Sequence, residues 1–268
     1  MADIKVGTSA FTAEGWSGSF YPAELQPRDY LSYYATQFPT VELDNTFYRT
    51  PALSTVKGWA AKTPAEFLFT AKVPQVITHE KVLVDCEDEL KRFLKAMDEL
   101  REKLGPLLFQ FGYFNRTKFK TQTEFLGVLK PFLKKLPKGY RFAVEIRNKS
   151  WMDARYLDLL RENGVALALI DQSWVPRPWE MTGKLDLVTS DFAYIRWLGD
   201  RKGIEAQTKS WDKTIVDRKP DMTHWVEIFR ALAKNSKVMK IFAFANNHYA
   251  GHGPATVKMF WEIWEQSK

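Results

Sequence analysis

The stretch TVELDNTFYRTP, residues 40–51, decides the fold. Val41 and Leu43 alternate with Glu42 and Asp44, and a period of two marks a strand with one apolar and one charged face. The run stops at Thr50-Pro51, a strand end by turn chemistry. A strand wet on one side would account for the acids. The apolar neighbours and the Phe47-Tyr48 ending argue instead for a barrel strand whose inner face turns acidic at its C-terminal end. Active sites of such barrels sit at that end.

The same alternation recurs outward from this strand. Strands are expected at residues 4–9, 67–73, 107–111, 141–147, 165–171, 193–198 and 240–246. Helical spacing falls at residues 28–38, 54–62 (Ser54 as cap), 87–104 (stopped by Gly105-Pro106), 121–136, 150–163 (Ser150 as cap, Gly164 as stop), 223–234 and 254–266. Residues 173–192, with Trp174, Pro176, Pro178 and Trp179, read as a structured lid or loop. Eight strands, nearly all followed by helices, predict parallel pairing and a single (β/α)8 TIM-type barrel over residues 1–268. An open doubly wound sheet is the alternative. It would usually carry a glycine-rich dinucleotide turn, and GTSAFTAEG is not one.

Hydrophobic residues make up 45% of the chain, enough for a sizeable core, and a net charge of +7 with a pI near 9.3 favours anionic partners without proving any. The single cysteine, Cys86, excludes an intrachain disulfide and suits a reducing compartment; its acidic neighbours raise its thiol and argue against a nucleophile. MADIKVG enters a strand without a secretory pattern, and no run is apolar enough to span a membrane, so a cytoplasmic location with no membrane partner is expected.

The inward phase near the C-terminal strand ends yields Ser9, Glu42, Asp44, Lys72, Gln110, Glu145, Arg147, Arg196 and Asn246, with Asp171 ending its strand. Such groups are costly to bury unless paired or wet. They form either a site or a ring of ion pairs closing the barrel, Glu42 with Lys72 and Glu145 with Arg147 or Arg196. Loops 198–203 and 246–253, with Arg201, Lys202, Asn247 and His248, suit a phosphate or other anion at a helix N-terminus; the bland reading is that their glycines only shape turns. Residues 113–120 interleave aromatics with Arg116, Lys118 and Lys120, which suits stacking plus phosphate contact and equally a rim whose aromatics pack downward. Glu42, Glu145 and Asp171 are types that hold Mg²⁺ or Mn²⁺ with waters, and His248 and His252 have a spacing that allows shared ligation; no HExxH or Gly-x-Ser-x-Gly occurs and no organic cofactor is implied.

The segments GTSAFTAEGWSGSFYP, YYATQFPTVELDNTFYRTP, VITHEK, GPLLFQF, FAVEIRNKSW and FANNHYAGHGPATV, in this order, resemble the YecE-like family, domain of unknown function 72. The resemblance implies a (β/α)8 barrel and brings no established activity. The family's similarity to endonuclease IV-type barrels suggests nucleic-acid chemistry, but those enzymes use a histidine-rich metal cluster and this chain has four scattered histidines. Where family members read E-V-N-S-T-F-Y, this chain has Asp44 for the amide, and where they commonly have His it has Asn148. Glu42 and Glu145 are the residues the resemblance carries over best.

The leading expectation is a hydrolase or lyase acting on a phosphorylated or anionic substrate, such as a phosphodiester or nucleotide. Glu42 or Glu145 would be the general acid or base, and Arg147, Arg196 and Lys72 would hold the anion, with Asn246, Asn247 and His248 orienting it. A carboxylate-pair glycoside hydrolase is the enzymatic alternative, although Gln110 and Arg196 stand where many retaining barrels place acids. A nucleic-acid-binding module is the non-enzymatic one.

Overall fold

All eight expected strands form, and they pair in sequence order until the last meets the first. The computed structural model describes residues 1–267. The strands are β1 (Asp3–Thr8), β2 (Thr40–Leu43), β3 (Leu68–Lys72), β4 (Leu104–Gln110), β5 (Phe142–Glu145), β6 (Ala166–Asp171), β7 (Phe192–Trp197) and β8 (Lys240–Ala245). Every pairing is parallel, and β1 closes on β8 from Asp3 opposite Lys240 to Thr8 opposite Ala245. The chain is a single-domain (β/α)8 barrel. Its helices are α1 (Tyr30–Gln37), α2 (Leu53–Ala61), α3 (Glu87–Met97), α4 (Gln122–Lys135), α5 (Ala154–Glu162), α6 (Pro178–Met181), α7 (Arg201–Glu205), α8 (Lys219–Lys234), α9 (Asn247–Ala250) and α10 (Gly253–Gln266). None is long and apolar enough to cross a membrane.

Two apolar layers hold the barrel. Inside it, small side chains of β5 and β6 (Ala143, Ala166, Ala168) face a space filled by Phe192, Tyr194, Phe242 and Phe244 from β7 and β8. An eight-stranded barrel is just wide enough to be filled by side chains, and truncating one of those phenylalanines to Ala costs about 3–5 kcal/mol. Outside it, alternate residues such as Val41, Phe69, Phe109, Val144, Leu169, Ile195 and Ala243 pack beneath the helices.

The seam between β1 and β2 is thin, with Thr8 opposite Val41 as its register pair. Tyr34 of α1 splices it: its hydroxyl accepts the Thr8 N–H at 2.8 Å and donates to the Thr40 carbonyl at 3.0 Å. Gly7 is required beside this bond, because an added Cβ would collide with that same Thr40 carbonyl.

Several element ends differ from expectation for local reasons. The chain leaves Pro51 extended, so Ala52 takes the cap position of α2 and Ser54 falls in its first turn. Lys149–Trp151 form a separate 3-10 turn, and Asp153, not Ser150, caps α5 by accepting the Tyr156 N–H at 3.1 Å. Helix α3 ends at Met97, and Gly105-Pro106 open β4 instead of stopping a helix. Gly105 is needed there because a Cβ would stand 2.9 Å from the Phe69 carbonyl oxygen, where the register between β3 and β4 shifts. Helix α8 starts at Lys219, with Pro220 in its first turn.

Candidate active site at the barrel mouth

Strand phase sets the floor of the mouth. Glu42 lies opposite Thr70 across β2 and β3, Lys72 opposite Leu108, Gln110 opposite Glu145, and Arg196 opposite Phe244, all pointing into the barrel. Arg196 is 2% exposed and ties three strands together. Its Nε and Nη2 donate to Glu42 Oε1 at 3.0 and 2.8 Å, its Nη1 donates to Glu145 Oε2 at 2.6 Å, and Nη2 also reaches Asp44 Oδ1 at 3.3 Å. The second oxygen of Glu42 accepts from the Tyr194 hydroxyl at 2.5 Å, and that of Glu145 accepts from Arg147 Nε at 3.0 Å. Both carboxylates are fully buried, and each oxygen of both has a donor. The expected closing ring is therefore present with one exchange: Lys72 pairs with Asp44, at 3.2 Å, and not with Glu42. After Leu43 the chain turns into a 3-10 helix, Asp44–Phe47, which swings Asp44 over β3; Thr46 Oγ1 locks the turn by meeting the Leu43 and Lys72 carbonyls at 2.7 Å.

Above this floor the network opens to solvent. The Asp44 side chain is 32% exposed and its Oδ2 has no hydrogen bond among the described residues. Arg147 is 26% exposed and commits only its Nε, leaving both terminal nitrogens without an acceptor among the described residues. The Lys72 ammonium lies 4.1 Å over the Phe47 ring, and His79 packs edge-on to that ring at 5.0 Å.

The two buried acids are pushed apart. Burial drives Glu42 up from the ordinary carboxylate range; Arg196 pulls it back, Asp44 adds to the rise, and the balance is upward. Burial acts the same way on Glu145, but Arg196 and Arg147 together outweigh it and hold that carboxyl below its usual range. His79 is pushed down by burial and by Lys72 and Arg147, against a smaller pull from Glu145.

The remaining expected site residues do other work. Gln110 is buried beside Glu145 and turns its amide to the Phe111 carbonyl. Asn246 caps α9 and bonds Ser9 Oγ at 3.0 Å. Asn247 Oδ1 accepts from the Gly253 N–H at 2.8 Å and from Trp16 at 3.2 Å, so an asparagine already occupies the start of α10. His248 lies between Asn246 and Glu205, 3.0 Å from the latter. Arg201 pairs with Glu205, and Gly199 and Gly251 serve close backbone approaches. Of the two cations expected there, Arg201 is thus committed to Glu205, and Lys202 is exposed on α7 without an ion pair among the described residues. Asp171 lies on the outer face of β6, where Arg177, Trp225 and Tyr249 donate to it at 2.9, 2.8 and 3.0 Å. Glu42, Glu145 and Asp171 accordingly do not converge, and among the described residues no group of three or more His, Cys, Asp or Glu is arranged to hold a metal ion. Asn148 is structural: its amide pairs both ways with the Phe114 backbone at 2.9 Å and holds the loop after β4.

Three residues at the mouth lie outside the set of site residues expected from sequence. Tyr194 shares the inward face with Arg196 two positions on, a signal that was available. Phe47 and His79 sit in irregular segments after β2 and β3 and carry no periodic signal.

Comparison with known proteins agrees with this architecture. A DUF72 family protein of Thermotoga maritima is similar in structure, with a TM-score of 0.74 and 28% identity over 98% of this chain and 99% of that one. A DUF72 family protein of Enterococcus faecalis has a TM-score of 0.71 at 21% identity, a likeness of fold. In sequence, UPF0759 protein YecE of Escherichia coli is 31% identical over 122 residues, 44% of this chain and 41% of that protein. UPF0759 protein YunF of Bacillus subtilis is 28% identical over 152 residues, 54% and 52% respectively. The matched segments thus span about half the length of these relatives. The family described as "Protein of unknown function DUF72" matches residues 5–268, and the chain belongs to that family.

Proposed function

We propose that the protein is an enzyme acting on a phosphorylated or otherwise anionic substrate at the barrel mouth. The observation that carries this reading is the division of the ion network. Its floor is saturated, whereas its upper surface offers Arg147 Nη1 and Nη2, the Lys72 ammonium and the uncommitted Asp44 Oδ2. Arg147 and Lys72 would receive the anion and stabilise developing charge, because fixed donors in a partly dry site act without reorganisation. Asp44 Oδ2 is the carboxylate oxygen open to take or give a proton. Glu42, Glu145 and Arg196 would work beneath as a rigid brace, a role that saturation of their atoms favours over direct proton transfer.

The test is a thermal-shift screen with inorganic phosphate, sugar phosphates, nucleotides, short oligonucleotides and neutral sugars, since a ligand that binds only the folded chain raises Tm by mass action. Stabilisation by phosphorylated ligands that Arg147→Met and Lys72→Met abolish supports the reading. Stabilisation by neutral sugars alone, or by nothing, overturns it. On the substrate so found, Asp44→Asn should keep binding and lose turnover.

One observation favours nucleic acid as a second reading. The exposed aromatics among the described residues are Tyr48, Tyr113 and Trp174, in the loops after β2, β4 and β6 on the same rim, with Arg49, Arg116 and Lys118 exposed nearby. Stacking faces and cations together suit single strands. Affinity for oligonucleotides that falls steeply with salt and with neutralisation of Arg116, Lys118 and Lys120 would support it.

A further inference from the structure

His79 sits on a segment with unusual backbone. Val76–Glu80 form a π turn, closed by the Lys81 N–H on the Val76 carbonyl at 2.9 Å. Directly after it Val82, Leu83 and Asp85 have positive φ values of 45°, 68° and 47°. Left-handed backbone in a β-branched residue is a genuine outlier, such conformations cost on the order of 1–3 kcal/mol each, and both they and π turns cluster at functional sites. The segment delivers the imidazole to the mouth, edge-on to Phe47 and within the field of Lys72, Arg147 and Glu145.

The neighbouring Thr78 decides what this imidazole presents. Thr78 is fully buried, and among the described residues its hydroxyl meets one hydrogen-bond partner, His79 Nδ1, at 2.8 Å. Were the proton on Nδ1, that nitrogen would donate to Oγ1 and the buried threonine proton would find no acceptor, at a cost of about 1–3 kcal/mol. With Oγ1 donating to Nδ1, both groups are satisfied and the ring proton resides on Nε2. Nε2 has no protein partner among the described residues. It faces Gly112 at the start of the loop after β4, where even an added Cβ would stand 3.5 Å away.

We propose that His79 is a substrate-binding residue that donates its Nε2–H, as a neutral imidazole, to the anionic group held by Lys72 and Arg147. This deepens the anion-site reading and rests on it. Two cations and one neutral donor, from the end of β3, the turn after it and the loop after β5, form a set that suits the several oxygens of a phosphoryl group better than the two of a carboxylate. Burial, with Lys72 and Arg147 beside it, holds the imidazole below its ordinary range, which favours the uncharged ring that the Thr78 hydrogen bond requires.

The test is long-range ¹H–¹⁵N correlation of the histidine side chains in the labelled full chain, with His79 assigned from the His79→Gln spectrum. The expected result is a neutral Nε2–H tautomer at pH 7 whose Nε2 resonance moves on titration with inorganic phosphate. Thr78→Val should convert it to mixed tautomers. His79→Phe should weaken phosphate binding roughly tenfold or more, with His79→Gln, which keeps an N–H, weakened less. An Nδ1–H tautomer, an imidazolium at pH 7, or phosphate stabilisation equal in wild type and His79→Phe overturns the proposal. If in that last case Arg147→Met still abolishes stabilisation, the anion site stands without His79; if phosphate stabilises no form, both readings fall.

Discussion

Arg196 grips Glu42 with two donors on one oxygen, Nε at 3.0 Å and Nη2 at 2.8 Å of Oε1, and spends its remaining nitrogen on Glu145. Among the described residues no other cation pairs with Glu42, so removing the guanidinium leaves a fully buried carboxylate without its counter-charge. Arg196→Met is expected to destabilise the fold by about 3–5 kcal/mol, read from urea unfolding. Arg196→Lys should recover little, because an ammonium cannot reproduce the fork. Adding Glu42→Gln to Arg196→Met should restore part of the loss. A single-variant cost within about 1 kcal/mol of wild type, the range of a surface pair, would show that the network does not brace the barrel.

The two acids that Arg196 joins should respond oppositely to pH. Glu145, held low in the folded chain, stabilises the fold above the ordinary carboxylate range and loses that contribution as pH falls from that range through its lowered value. Glu145→Gln should therefore cost about 1–3 kcal/mol at pH 7 and progressively less toward pH 3. Glu42, pushed up mainly by burial, takes up its proton at a higher pH in the folded chain than in the unfolded one, so its contribution grows as pH falls through its raised value. Glu42→Gln supplies the uncharged shape at every pH and should cost less than Glu145→Gln at pH 7. Equal costs with parallel pH profiles would refute the assignment.

How much of this was legible depended on alternation. In β2, β3, β5 and β7 a period of two separates apolar from charged residues, and Glu42, Lys72, Glu145 and Arg196 all point inward as that pattern requires. The run VALALID has no alternation, since a parallel strand buried on both faces needs none, and so nothing in it reveals that Asp171 faces outward. Strand alternation pairs Lys72 with Glu42 whereas the structure pairs it with Asp44, because the pairing depends on the 3-10 turn after Leu43, not on the strand. The loops after β7 and β8 looked cationic in order along the chain, but Arg196 points into the barrel and Arg201 to Glu205. His79 stands in a π turn, for which periodicity offers no template.

Asp171 is the hub of a second buried network, and it predicts how the connection between β6 and β7 is held. Arg177 binds Asp171 through Nε at 2.9 Å and Asp221 of α8 through Nη1 at 3.1 Å, with its guanidinium 5.4 Å from the Trp179 ring. Arg177→Ala removes the only cationic donor to Asp171 among the described residues, while Trp225 and Tyr249 still hold it. The expected result is faster amide exchange and proteolysis confined to residues 172–191, with global stability reduced by about 1–3 kcal/mol. Exchange unchanged in that segment would mean that Pro178 and the apolar contacts of α6 suffice to hold it.

The seam between β1 and β2 supplies a prediction independent of any ligand. Tyr34 sits where an ordinary parallel ladder would carry its own hydrogen bonds, and its hydroxyl serves the Thr8 N–H, the Thr8 hydroxyl at 2.8 Å and the Thr40 carbonyl. Phenylalanine keeps the ring and its packing against Phe20, Phe38 and Phe67 but strips all three partners. Buried backbone groups left unpaired cost about 1–3 kcal/mol, so Tyr34→Phe should lower stability by that amount and raise amide exchange at Thr8 before any other residue of β1. Because β1 ends beside Ser9, whose hydroxyl accepts from Asn246, the loosened seam should also weaken the cap of α9. A Tyr34→Phe variant as stable as wild type would mean that water enters the seam and satisfies both strands, and the close approach that demands Gly7 would then tolerate alanine.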